Sequence, residues 1–234
     1  HGHRHAPHVF LVGGASSGKT FAAEQAALAL EKKFCAQGAV TYAHELLGYI
    51  DAHSKYVRTQ FREAFEHGGL ILLDEFDASS AEAALVINSA LANGFCSFPD
   101  GVIPRHESFL CIVGANTDGS GATMSYSGRA RLDGAFLDRF VMLEWGIDPE
   151  IEKNKAKGET QWLVVVREVR AFMVQRKITD VAATVRAVDF GSTLLKAKHP
   201  SEKVLSVCLR RGALIPHWGQ IKSLPAVREF LLGF

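Results

Sequence analysis

Four residues near the start of the sequence have the types and spacing that bind phosphate. Gly13, Gly18, Lys19 and Thr20 fit the pattern G-x4-G-K-[ST] within VFLVGGASSGKTF, residues 9–21. Glycine and small residues let the backbone curl around a phosphate, so that its N–H groups form a nest for an anion. The lysine then reaches the β- and γ-phosphates, and the threonine hydroxyl ligates Mg²⁺. The pattern predicts a site for a nucleoside triphosphate.

The flanking segments have the order that such a phosphate-binding loop requires. An apolar run at 9–12 predicts a strand before the loop, and an alanine-rich run at 20–34 predicts a helix after it. A helix beginning near Lys19 adds the positive end of its dipole to the anion site. A glycine-rich turn without a ligand is the alternative, which this context disfavours. The loop residues expected to contact nucleotide are Gly13, Gly14, Ala15, Ser16, Ser17, Gly18, Lys19 and Thr20.

Two carboxylates follow the apolar run of LILLDEFD, residues 70–77. Ligands of parallel sheets bind at the carboxyl ends of the strands, where Asp74 and Glu75 fall. We expect Asp74 to belong to the nucleotide-binding site and to hold Mg²⁺ together with Thr20. We expect Glu75 to polarise the attacking water. An acidic turn at a strand end would account for one carboxylate but not for two that follow a P-loop.

Three further polar residues are candidates for catalysis. Asn116 ends the apolar run of LCIVGANT, so it would lie beside the γ-phosphate and position water, although asparagine there also forms turns. Arg139 precedes a predicted strand, and either forms surface ion pairs or reaches the nucleotide of a neighbouring subunit. Arg186 lies on a predicted helix, off its apolar face, where it could report the γ-phosphate to the second domain.

The apolar segments predict how the chain positions these residues. Strand-like runs alternate with helical ones up to Trp145, which predicts a parallel sheet covered on both faces. FCSFPDGVIPRHESF, residues 95–109, predicts a hairpin. We therefore expect an α/β domain at 1–147, a polar linker at 148–158 and a small all-α lid domain at 159–234. The predicted strands are 9–12, 40–43, 70–73, 109–113 and 140–143, and the predicted helices include 20–34, 81–92, 162–173, 185–195 and 200–211.

Composition excludes few classes of protein. The 234 residues carry a formal net charge of +1, so charge does not indicate nucleic acid or a membrane surface, although a local basic patch stays possible. The apolar runs are too short to cross a bilayer. Four scattered cysteines without a CxxC pair predict reduced thiols and a cytoplasmic location. The opening HGHRHAPH is expected to be a solvated tail rather than a metal site.

These motifs together resemble the AAA+ ATPases, and within them the MoxR and dynein-related branch. That branch includes cobaltochelatase ATPase subunits, rubisco-activating motors of the CbbQ type and McrB-like motors. The resemblance covers nearly the whole chain and rests on the P-loop, on the acidic pair after 70–73 and on Asn116. It implies a P-loop core with a five-stranded parallel sheet, a helical lid, and ATP with Mg²⁺ as cofactors.

The resemblance also implies roles for residues outside the P-loop. YSGRARLDGAFLDRF resembles the arginine-finger segment, with Arg139 as a finger in trans and with Arg129 and Arg131 as candidates for a second basic contact. TVRAVDFGSTLL is similar to the sensor 2 helix and gives that role to Arg186. Residues 45–69 are similar to a segment with a pore loop, so Tyr49 and Ile50 either face a pore or pack in the core.

We expect a ring-forming ATPase, in family terms a hexamer, that remodels a protein partner. A DNA-directed translocase would use the same nucleotide residues, but the sequence shows no basic surface with interleaved aromatic residues. A binding module without turnover fits Glu75 and Arg139 poorly, and a small-molecule P-loop kinase fits the helical second domain poorly.

Overall fold

The computed structural model describes residues 7–123 and 126–233. These residues form two compact units. One unit contains Gly18–Gly146 together with the residues through Gly14, and the other contains the residues from Ile147 onward together with Ala15–Ser17. The first unit combines strands with helices, whereas the second is helical. This agrees with the predicted fold class, an α/β core followed by a helical lid.

A five-stranded parallel sheet forms the centre of the first unit. Two further pairs of strands form separate antiparallel hairpins, β3 with β4 and β6 with β7. Within the described residues, the strands are β1 (His8–Val12), β2 (Phe34–Gln37), β3 (Tyr49–Ile50), β4 (Tyr56–Val57), β5 (Gly69–Leu73), β6 (Phe95–Phe98), β7 (Gly101–Pro104), β8 (Phe109–Ala115) and β9 (Phe140–Glu144). The central sheet has the order β2-β5-β8-β1-β9, and each neighbouring pair is parallel.

Helices cover both faces of this sheet. Successive residues of β5 point to opposite faces, so that Ile71 joins one hydrophobic core and Leu72 joins another. Ala23 and Ala27 pack on the Leu72 side, whereas Phe61 and other aromatic residues pack on the Ile71 side. The helices of this unit are α1 (Lys19–Ala29), α2 (His44–Leu47), α3 (Gln60–His67), α4 (Ala81–Asn93) and α5 (Gly134–Leu137).

The second strand of the sheet differs from the prediction. The helix expected over 20–34 ends at Ala29, because Glu31 turns the chain with a φ of +52°, and β2 begins at Phe34. Val40 is fully buried, and its N–H donates to Ser79 Oγ at 2.9 Å instead of to a neighbouring strand. The apolar character at 40–43 therefore reflects a buried loop residue, and the prediction of a strand there was wrong.

The two hairpins present side chains to solvent. Tyr49 and Ile50 on β3 are 50% and 45% exposed, so the alternative that they pack in the core was wrong. Whether they face a pore stays a prediction. The hairpin formed by β6 and β7 confirms the one expected within 95–109, and its turn contains Asp100.

The second unit contains helices around Trp162. The polar segment 148–158, expected to be a linker, contains a helix that is capped by the Asp148 side chain, and Ala156 packs into the core. Trp162 is fully buried and donates from Nε1 to the Ala187 carbonyl at 3.1 Å. The helices are α6 (Pro149–Lys155), α7 (Thr160–Arg176), α8 (Val185–Lys196), α9 (Ser201–Leu205), a π-helical turn at Ser206–Arg210, α10 (Ile215–Lys222) and α11 (Pro225–Leu232).

Most of the histidine-rich opening lies outside the described residues. His8 is described, and its Nδ1 accepts a hydrogen bond from the Cys111 N–H at 3.1 Å. Within residues 7–123 and 126–233, no helix is both long and apolar enough to cross a bilayer. The free cysteines are Cys35, Cys96, Cys111 and Cys208.

Candidate functional site

Three parallel strands bring the predicted site residues to one edge of the sheet. β1 pairs with β8, and β8 pairs with β5, so the carboxyl ends of these strands lie side by side. The Gly13 N–H donates to the Ala115 carbonyl at 3.1 Å, which places the start of the loop beside Asn116. Asp74 follows β5 directly. The site therefore depends on pairing between strands that are distant in sequence.

The loop ends in a left-handed turn that glycine favours. Gly18 has a φ of +91° and directly precedes α1, which begins at Lys19. A Cβ at Gly18 would meet no heavy atom within 4 Å, so the backbone angle and not crowding favours glycine here. Ser16 also has a positive φ, of +66°. The eleven-residue helix α1 points its amino-terminal N–H groups toward this loop.

Lys19 turns back over the loop that precedes it. Its Nζ donates to the carbonyl oxygens of Gly13 at 2.6 Å and Gly14 at 3.1 Å, and to Asn116 Oδ1 at 3.1 Å. Burial lowers the pKa of the ammonium from its usual value, and the nearby carboxylates, above all that of Asp74, oppose this shift. The structure thus brings together Lys19 and Asn116, as a phosphate site requires.

Thr20 and Asp74 form a pair of oxygen ligands. Thr20 Oγ1 donates to Asp74 Oδ2 at 2.7 Å, and the other carboxylate oxygen accepts from the Glu75 N–H at 2.9 Å. Gly114 on β8 leaves room for this carboxylate, since a Cβ there would lie 2.8 Å from Asp74 Oδ1. Hydroxyl and carboxylate oxygens are ligands that Mg²⁺ prefers.

Glu75 projects its carboxylate from a strained position. It has a φ of +51° and precedes a 3-10 turn at Phe76–Ala78. A non-glycine residue in this conformation is uncommon and often marks a functional site. The side chain is 61% exposed, and its Oε2 lies 3.7 Å from Nη2 of Arg129. The arrangement leaves the carboxylate accessible to a water molecule.

Asp77 is a site residue that the sequence analysis missed. It is fully buried, and its Oδ2 accepts hydrogen bonds from the N–H groups of Asn116 at 3.1 Å and Thr117 at 3.0 Å. The Thr117 hydroxyl donates to the same oxygen at 3.0 Å. Asp77 therefore fixes the backbone that carries Asn116. The sequence signal was the third acidic residue of DEFD, two positions after Glu75.

Of the four candidate arginines, Arg129 contacts Glu75 and Asp77, whereas the other three are exposed. Arg139 is exposed at the end of α5, and its Nε donates to Asn88 Oδ1 on α4 at 3.3 Å. Arg131 is also exposed. Arg186 lies in the first turn of α8 in the helical unit, where it too is exposed, and its predicted role toward nucleotide stays a prediction.

The donor set fits a nucleoside triphosphate with Mg²⁺. The buried ammonium of Lys19 and the amino terminus of α1 provide positive charge at the loop. The oxygen ligands are the hydroxyl of Thr20, which is the next residue, and the carboxylate of Asp74 at the end of β5. Lys19 and the loop would hold the phosphates, and Thr20 and Asp74 would hold the metal. These roles for individual residues are inferred from the geometry and stay predictions.

Comparison with known proteins agrees with this geometry. Residues 8–140 match the family described as AAA domain (dynein-related subfamily). No curated protein matches the sequence. Among solved structures, the crystal structure of NtrX from Brucella abortus is similar to this chain, with a TM-score of 0.50 and 15% sequence identity. The alignment covers 97% of this chain and 47% of that one, so this chain spans about half of the NtrX length.

At this level of identity the likeness to NtrX concerns the fold alone. The family match is different in kind, because it covers more than half of the chain and includes the P-loop, the acidic pair and Asn116. AAA domains of this type are ATPase domains. The chain belongs to the AAA domain family, in its dynein-related subfamily.

Proposed function

We propose that this chain is a ring-forming ATPase that couples Mg-ATP hydrolysis at subunit interfaces to the remodelling of a protein partner. The observation that carries the proposal is the exposure of Arg139. Among the residues that the structure describes, its guanidinium contacts Asn88 on α4 rather than the phosphate site, so it is available to a neighbouring copy. An arginine supplied in trans would make hydrolysis depend on assembly.

Each residue of the site would have a separate part in hydrolysis. Lys19 and the loop N–H groups bind the phosphates, while Thr20 and Asp74 hold the metal. The metal, when bound, neutralises charge that develops on the phosphate oxygens. Glu75 accepts a proton from the attacking water, and Asn116 orients that water.

A protein client fits the charge of the chain better than a nucleic acid does. The formal net charge is +1, and non-specific binding to nucleic acid depends on Lys and Arg that neutralise phosphates. The free thiols fit a reducing compartment, and we propose a cytoplasmic location. A MoxR-like role and a hexameric ring belong to the same proposal.

Substitution of Glu75 tests the proposed hydrolysis. Glu75→Gln keeps the size of the side chain but removes the base, so we expect it to bind ATP with unchanged affinity and to lose hydrolysis by at least about 100-fold. The control is Glu82→Gln, which changes an exposed glutamate in the first turn of α4 and should hydrolyse ATP like the wild type. Undiminished turnover by Glu75→Gln would contradict the assignment of the base.

A further inference from the structure

Arg129 forms ion pairs with two carboxylates, those of Asp77 and of the proposed base Glu75. The Arg129 Nε lies 3.4 Å from Asp77 Oδ2, and its Nη2 lies 3.7 Å from Glu75 Oε2. The arginine side chain is only 13% exposed, and that of Asp77 is fully buried. One guanidinium therefore spans a buried carboxylate and the exposed carboxylate of the proposed base.

The contact between Arg129 and the buried Asp77 is supported by further hydrogen bonds. Asp77 Oδ2 also accepts from Asn116 and Thr117, and the Ala130 N–H donates to the Asp77 carbonyl at 2.8 Å. Because Ala130 follows Arg129 directly, the backbone of the arginine is tied to the same residue as its side chain. The guanidinium is thus fixed from two directions, whereas the Glu75 side chain is largely exposed.

This geometry does not fit a second basic contact to a neighbouring subunit. Such a contact needs an exposed guanidinium, as Arg139 has, but Arg129 is mostly buried against acidic groups of its own chain. The Tyr126 ring centre lies 5.8 Å from the Arg129 guanidinium carbon. The charge of Arg129 is therefore shared between Asp77 and Glu75 of its own chain.

We propose that Arg129 is a positioning residue in cis, which uses Asp77 as an anchor to orient the Glu75 carboxylate toward the attacking water. This inference rests on the proposed function. A base held in one orientation meets its water more often than a freely rotating one, and small misplacements reduce catalysis strongly. Arg129 itself makes no bond to nucleotide or water in this role.

Replacement of Arg129 should separate turnover from binding. For Arg129→Gln we expect kcat to fall at least about tenfold, while the dissociation constant for a fluorescent ATP analogue changes by less than about threefold. Arg129→Lys keeps the charge but loses the planar fork, and should recover part of the loss. Arg58→Gln is the control, because it removes an arginine that pairs with glutamates on α3 and should leave kcat unchanged.

A double substitution distinguishes positioning from general damage to the fold. If Arg129 acts through Glu75, then Arg129→Gln should reduce the residual rate of Glu75→Gln by less than about twofold. A full tenfold loss in that background, or a parallel loss of nucleotide affinity, would show that Arg129 acts elsewhere and would overturn the proposal. Thermal unfolding of each variant identifies any loss that comes from destabilisation alone.

The two proposals fail in different ways. Wild-type protein that binds ATP but shows no turnover contradicts the proposed function, and the inference falls with it. Wild-type protein that hydrolyses ATP, combined with an Arg129→Gln variant of equal kcat, contradicts only the positioning role.

Discussion

The Thr20 hydroxyl donates a 2.7 Å hydrogen bond to Asp74 Oδ2, which joins the first turn of α1 to the end of β5. The two residues are 54 positions apart in sequence. The contact places two oxygen ligands close enough to share one metal ion.

Loss of the Thr20 hydroxyl should weaken the binding of the Mg²⁺ ion that the ATPase requires. For Thr20→Val, which keeps the shape of the side chain, we expect kcat to fall by about 100-fold, because one ligand of Mg²⁺ is gone. Thr20→Ser retains the hydroxyl and should keep most of the activity. Steady-state rates measured across a magnesium titration test this, and a Thr20→Val variant with a normal magnesium curve would exclude Thr20 as a ligand.

Arg139 should act on the nucleotide of another subunit. We expect Arg139→Ala alone to lose between about three and five decades in rate, since the cation at the transition state is gone. Lys19→Ala should be inactive because it cannot bind the phosphates. Mixing the two variants should restore activity, since each subunit supplies what the other lacks.

The mixing experiment needs evidence that both variants share one assembly. Differently tagged subunits that co-purify provide it, and the rate is then measured at several mixing ratios. Mixed assemblies without any recovered activity would argue against catalysis in trans. A turnover rate per subunit that stays constant when the wild-type protein is diluted would also argue against catalysis in trans.

A buried ion cluster should stabilise the helical unit. Glu152 on α6 is buried, and its carboxylate accepts hydrogen bonds from Arg167 Nε at 2.8 Å and from Arg170. Burial opposes its charge, but the hydrogen bonds from Arg170 and Arg167 prevail, so that its pKa is lowered in the folded protein. Removal of the Glu152 carboxylate leaves Arg167 and Arg170 without this partner, and because both arginines keep contact with solvent, we expect a cost of about 1–3 kcal/mol.

We therefore expect Glu152→Gln to unfold at a lower temperature or denaturant concentration than the wild type. The control is Glu150→Gln on the same helix, whose exposed pair with Lys153 contributes about 0–1 kcal/mol. Because the pKa of Glu152 is lowered on folding, its contribution is complete above the unfolded value near 4.5 and is lost as the pH falls further. The wild type should thus lose its advantage over Glu152→Gln in acid, and equal stability at neutral pH would refute this.

Gly191 should tolerate no larger residue. A Cβ at this position in α8 would lie 2.1 Å from Nε1 of the buried Trp162, closer than any real contact. Gly191→Ala should therefore reduce the free energy of unfolding by about 1–3 kcal/mol, as overpacking does. Gly219→Ala in α10 adds the same methyl group where no atom lies within 4 Å, and should leave stability unchanged or raise it. Chemical denaturation that ranks the two variants in the opposite order would contradict this packing.

Much of the fold follows from the sequence because its signals are local. The apolar runs before Gly13 and Asp74 predict β1 and β5, and the G-x4-G-K-[ST] spacing predicts the turn between β1 and α1. β2 was harder to predict, because its residues are only partly buried while the adjacent loop residue Val40 is fully buried. Hydrophobicity alone could not separate the two.

The site was predictable in its parts but not in its connections. Thr20, Asp74 and Asn116 stand at the ends of apolar runs, so their meeting follows from a parallel sheet. The contacts of Asp77 with Arg129 do not, because they depend on how a loop after β8 folds back. Similarly, the charges of 148–158 suggested solvent, whereas Glu152 is buried by arginines that come later in the chain.

The register between β1 and β8 sets the positions of the residues that form the phosphate site. Val12 on β1 lies opposite Ala115 on β8. The residue after Val12 is Gly13, which begins the phosphate-binding loop, and the residue after Ala115 is Asn116, whose side-chain amide accepts a hydrogen bond from Lys19. A slip of one residue along β8 would turn Asn116 to the opposite layer, because side chains alternate along a strand. Deleting one residue inside β8 should consequently abolish nucleotide binding even though every side chain of the P-loop is intact.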